Sequence, residues 1–206
     1  TNFLYVQLIN DFIKNIIRRK TTLITSGDSA SIGVMSCHAD PELIQNLIFI
    51  NPKNISKYNL IPNKRSKITK YIIESPIFGT FIYNLISNKE NIIKNFKENY
   101  YYDFTNSKLE EIYAYLESSH LDDYNSKYTY ASSEGRYLNI NIYQALKNID
   151  HSIMIILGKE YENADMIKDG YLSCNGAIEA YEIPETKKLP HLEKAEEVAE
   201  KCSIYL

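Results

Sequence analysis

The chain has 206 residues, 44% of them hydrophobic and 24% charged, values close to those of ordinary globular proteins, which exclude a disordered or fibrous chain. Its formal net charge of −3 is spread with the signs interspersed, so no concentrated basic face is offered to a phosphate backbone and no nucleic-acid partner is expected. The longest apolar runs, such as Ile153 to Leu157, are far too short to span a bilayer.

This length fits one domain with an insertion. Cys37, Cys174 and Cys202 are scattered and odd in number, which gives neither a disulfide framework nor metal spacing and makes a reducing cytoplasm the simplest location. No charged stretch followed by an apolar block opens the chain, so no signal peptide is expected. The first residue is Thr rather than Met, and residues upstream of it are expected.

In "NFLYVQLINDFIKNIIRR" the apolar residues form two adjacent ridges, Leu4, Leu8, Phe12, Ile16 and Tyr5, Ile9, Ile13, Ile17. A spacing of four predicts a helix with a wide buried stripe. "TTLITS" then reads as a short strand, Gly27 as a turn and Ser29 to His38 as a helix whose small residues suit packing on a sheet. Pro41 starts a short element, and "NLIFINP" is a buried strand ended by Asn-Pro. Residues 21–52 therefore make a βαβ unit with a right-handed parallel crossover.

From 53 to 135 the patterns are helical, in "SKITKYIIES", "PIFGTFIYNLIS", "ENIIKNFKENYYYDF" and "KLEEIYAYLESSH". Alternation returns afterwards: "NINIYQALKNI" as helix, "HSIMIILG" as a fully buried strand, "NADMIKDGYLSCN" as helix, "AIEAYEIP" as strand and "LEKAEEVAEKCSIYL" as an amphipathic helix. The class is α/β, with 1–52 and 136–206 as the core and 53–135 as an all-helical insertion.

Gly27-Asp28-Ser29-Ala30-Ser31 has the spacing of a nucleophile elbow, G-x-S-x-S in place of G-x-S-x-G. Such a turn needs small residues on both sides of the serine because strand and helix approach closely there. Ser is also a favoured helix N-cap, so the pentapeptide alone leaves both roles open. Asp28 reads as a pocket-wall or turn residue. His38 and His120 form no ligand set with carboxylates. The basic run Lys64, Arg65, Lys67 and Lys70 reads as a solvated helix face. Tyrosines 100–102, 124, 128 and 130 fit either a packed core or an aromatic pocket lining.

The order of elements, with the elbow, "ELIQNLIFINP", the helical insertion, "SIMIILG" and the closing "LPHLEKAEEV", resembles the α/β-hydrolase superfamily over nearly the whole chain. By that resemblance the four strands are the fifth to eighth of a parallel sheet, the earlier strands lying outside this chain, and 53–135 is a cap shaping a pocket for a small-molecule substrate. It implies Ser29 as nucleophile, the backbone N–H of Ala30 as an oxyanion donor, a histidine as base and a carboxylate as acid, with no cofactor and no metal. The position matching the base is Lys188, with His191 three residues further on. The position matching the acid, three residues after Gly158, is Tyr161, flanked by Glu160 and Glu162.

The expected site is thus Ser29, His191 and Glu160, with Ala30 in the oxyanion hole. The expected function is hydrolysis of a small apolar ester, thioester or carbon–carbon substrate, against the alternative of a non-enzymatic binding member of the same fold. Lys188 serves as a base only if burial lowers its pKa. With the earlier strands absent, Leu23 and Ile24 lie on an open edge, and self-association through the strand at 21–26 is expected.

Overall fold

The computed structural model describes residues 2–121 and 125–206; Tyr124 therefore lies outside the described residues. Two compact units are formed, Thr1–Asn59 with Ile140–Leu206, and Leu60–Asn139.

The first unit is built on four parallel strands, β1 (Thr21–Ser26), β2 (Ile44–Ile50), β3 (Ile153–Gly158) and β4 (Ile178–Ile183), in the order β1-β2-β3-β4. All six residues of β3 are buried, as its uninterrupted apolar sequence requires of an inner parallel strand covered on both faces. Burying each of its isoleucines contributes roughly 1.5–3 kcal/mol.

One face of the sheet packs Leu47, Phe49, Ile153, Ile155 and Ile178 against helical residues Ile13, Val34, Leu146 and Ile167. Those residues come from α1 (Asn2–Phe12) and its wider-wound continuation Ile13–Ile17, α2 (Ala30–Ala39), α9 (Tyr143–Lys147) and α10 (Ala164–Cys174). The other face packs Ile48, Ile50, Met154, Ile156 and Ile183 against Val198 and Cys202 of α12 (Ala195–Ser203). Alternate strand residues therefore serve opposite layers, which is the period of two at work.

Gly33 fixes how close α2 comes to the sheet. A Cβ there would stand 3.0 Å from Thr25 Cγ2 and 3.6 Å from Phe49. The helix can begin immediately after β1 only because this face of it is small.

Before the second unit comes a single turn of helix, α3 (Ile55–Tyr58), which belongs to the first unit; the break expected after residue 52 falls short of it. The second unit contains α4 (Lys64–Glu74), α5 (Phe78–Ile86), α6 (Lys89–Asn95) continued by Phe96–Tyr100, α7 (Leu109–Ser119) and α8 (Ser126–Glu134). All its described elements are helical, and α8 is one that no sequence pattern announced. Its tyrosines are largely structural. Tyr101 is fully buried and stacks on Phe96 at 5.6 Å between ring centroids, and Tyr115 meets the same ring edge-on at 5.0 Å. Tyr130 packs on Tyr83, whereas Tyr102 and Tyr128 are exposed.

Candidate functional site

β1 ends and α2 begins across a bend whose only left-handed residue is Gly27, at φ +58°. Glycine meets this conformation without the Cβ penalty that other residues incur. A Cβ built on Gly27 would find nothing within 4 Å. The apex of the bend therefore points into open space.

Ser29 stands two residues beyond the apex in right-handed helical conformation, φ −69° and ψ −10°. Its hydroxyl donates to the Ser26 carbonyl at 2.7 Å and accepts from the Ser26 N–H at 3.2 Å. These are the bonds of a residue closing a helix start. The Ala30 N–H is directed back to the carbonyls of Gly27 and Asp28, and Ala30 is fully buried. Ser31 Oγ likewise donates to the Asp28 carbonyl.

The bend is held from below by phenols. Tyr58, buried at the end of α3, donates its hydroxyl to the Gly27 carbonyl at 3.0 Å and accepts from the Lys53 N–H at 3.2 Å. Tyr171 on α10 donates to the Lys53 carbonyl at 3.1 Å. Burial, reinforced by the Asp28 charge, pushes the Tyr58 hydroxyl well above its ordinary pKa, so it stays a donor. Lys53 in turn reaches Asp28 at 2.6 Å.

Asn51 links the far side. It follows β2 with φ +42° and is buried, and its side-chain amide donates to the carbonyls of Lys187 and Lys188 at 2.7 and 2.8 Å. Its Oδ1 accepts from the Gly158 N–H at 2.9 Å. A Cβ on Gly158 would stand 1.9 Å from the Lys187 carbonyl oxygen, so this loop can lie against the end of β3 only because residue 158 has no side chain. Glu193 completes the hold by accepting the Lys187 N–H at 2.7 Å.

The result is a cavity of about 80 Å³ lined by Ser26, Gly27, Asp28, Asn51, Lys53, Tyr161, Lys188 and Leu189. It shares Lys53 and Tyr161 with a wider cleft of about 450 Å³ that is also lined by Lys57, Glu162 and Met166. Burial lowers the pKa of Lys188, Lys53 adds to that effect, and Asp28 opposes it. His191, on the short helix α11 (Pro190–Glu193), and the exposed Glu160 are not among the lining residues. Among the described residues no group of three His, Cys, Asp or Glu side chains is placed to hold a metal ion.

No protein-family model matches the sequence, and no curated protein does. The structure, by contrast, superposes on many solved ones. A serine hydrolase from the polyaromatic hydrocarbon-degrading bacterium Cycloclasticus zankles matches at a TM-score of 0.72 and 10% identity, over 99% of this chain and 70% of that one. MenH from S. aureus matches at 0.70 and 14% identity, over 100% and 75%. A variant of the haloalkane dehalogenase DatA from Agrobacterium tumefaciens matches at 0.67 and 11%, over 97% and 71%. The fold is that of the α/β-hydrolases.

In an α/β-hydrolase the nucleophile sits at the strained apex of the strand-to-helix turn, and the N–H of the following residue supplies an oxyanion donor. The left-handed apex in this chain is Gly27, and the following residue is Asp28. The solved α/β-hydrolases above bear names of different reactions, so the fold leaves the chemistry to the site. Tyr161 and Lys188, the residues that sequence matching put in the acid and base positions, both line the cavity beside that apex. Ser29, His191 and Glu160 are not brought together there. Sequence reading passed over Gly27 as a turn and Asn51 as a strand end; the available signal for Asn51 was a polar residue placed between a buried apolar run and a proline.

Proposed function

We propose that this chain is a non-catalytic member of the α/β-hydrolase fold that binds a small molecule in the cavity between Gly27, Tyr161 and Lys188. One observation carries the reading: the apex of the elbow is a glycine with open space beyond it, so the place of the attacking atom has no side chain. A triad requires nucleophile, base and orienting acid in mutual reach. Beside this apex stand a phenol and an amine, which can hold a ligand by hydrogen bond and charge but cannot relay a proton as an imidazole–carboxylate pair does.

The competing reading is a serine hydrolase using Ser29, His191 and Glu160 on an apolar ester, thioester or carbon–carbon substrate. A fluorophosphonate probe separates the two. The purified, folded chain is expected to remain unlabelled. Stoichiometric labelling that disappears in Ser29→Ala and in His191→Ala would overturn the binding reading.

A further inference from the structure

Lys188 enters the cavity on a loop fixed by Asn51, Glu193 and the close contact at Gly158. Its backbone is therefore held while its side chain lies half-buried. The polar residues that share the cavity with it are Ser26 and Asp28 at the elbow, Asn51 and Lys53 after β2, and Tyr161 after β3. The Asp28 carboxylate is engaged by Lys53 at 2.6 Å, so the negative charge nearest to Lys188 is shared with a second ammonium. A lysine that is desolvated beside another cation is an activated nucleophile, because its neutral form carries the lone pair. Nothing lies within 4 Å of the missing Cβ of Gly27, and Gly27 and Lys188 line the same cavity of about 80 Å³.

We propose that Lys188 is a nucleophilic amine that condenses reversibly with a small aldehyde or ketone held beside Gly27. The proposal rests on the reading of this cavity as a binding site without a serine nucleophile. In the first step the neutral Nζ adds to the carbonyl carbon; the C–N bond forms as the C–O π bond breaks, and a proton passes from nitrogen to oxygen to give a carbinolamine. In the second the hydroxyl leaves as water with the remaining amine proton, and a C=N bond takes its place. Both amine hydrogens end in the water, and no oxidant or reductant takes part.

The test treats the intact chain at neutral pH with propanal and sodium cyanoborohydride, which traps the imine as an alkylamine, and maps modified lysines by peptide mass spectrometry. Lys188 is expected to be alkylated about tenfold faster than the exposed Lys64 and Lys67, because a desolvated amine beside a second cation holds more of its neutral, nucleophilic form. In Lys53→Met a cation that favours the neutral amine is lost and Asp28 is released, so Lys188 should slow towards the exposed lysines. Mere accessibility would leave or raise its rate. Modification of Lys188 no faster than that of Lys64 overturns the proposal. Fluorophosphonate labelling at Ser29 is a separate outcome: it would overturn the binding reading and, with it, this use of the cavity, whereas slow alkylation without such labelling removes the reactive amine alone.

Discussion

In the proposed binding reading the site turns on one residue, Gly27. Any other residue at φ +58° incurs about 1–3 kcal/mol of backbone strain. A serine there would carry that strain but meet no steric obstacle. The triple variant Gly27→Ser, Tyr161→Asp, Lys188→His is therefore expected to be less stable than the parent and to gain hydrolysis of p-nitrophenyl acetate that the parent lacks, read as p-nitrophenolate release. Activity should require all three changes, since triad members act as a unit. A folded triple variant with no activity would mean that the three positions do not form the triad frame. That Tyr161 and Lys188 fall in one cavity was legible in the sequence, because Gly158 and "LPHLE" anchor the count. The apex was not. An elbow pattern is read around its serine, here Ser29, whose hydroxyl bonds to Ser26, whereas the left-handed backbone lies two residues earlier at Gly27.

At the level of elements, the strands were readable because burial on both faces leaves a continuous apolar run, as in "SIMIILG" and "NLIFINP". Loops between them were opaque, since their order comes from single polar contacts. Asn51 is the clearest case: three hydrogen bonds from one buried amide join β2, β3 and the segment carrying Lys188. Asn51→Ala is expected to cost roughly 2–4 kcal/mol, from three bonds at about 1 kcal/mol each and a left-handed backbone that alanine tolerates poorly. Urea denaturation of the variant beside the parent measures it. A loss under 1 kcal/mol would show that the loop is held by other contacts. In α1 the sequence predicted two buried ridges, and the structure buries one. Ile9, Ile13 and Ile17 face the core, while Leu4, Leu8, Phe12 and Ile16 are 54–67% exposed. The second ridge has no layer to meet among the described residues, because the sheet ends at β1.

For the molecule as a whole, that ridge and the outer edge of β1 expose more apolar surface than scattered side chains would. A strand edge pairs readily with another edge, and a two-fold pair buries the same patch on both copies. We expect the 206-residue chain prepared alone to self-associate, with a sedimentation coefficient that rises with concentration. Leu8→Glu with Phe12→Lys should abolish that rise without unfolding, as both side chains are exposed. A parent that sediments as a monomer at all concentrations would refute it. The α/β class and its parallel order followed from the alternation of elements, which hydrophobic period reports well. Whether a surface is covered does not follow from one sequence, because period marks an apolar stripe without naming what it packs against. Among the described residues no helix is long and apolar enough to cross a membrane.

The chain has no tryptophan and 18 tyrosines. Its ultraviolet signal is therefore phenolic, and one of the rings producing it, Tyr58, is tethered to the Gly27 carbonyl. The protein thus has a built-in chromophore beneath the elbow. A guest that shifts this turn alters the surroundings of that ring, so occupancy becomes visible by difference spectroscopy with no dye attached.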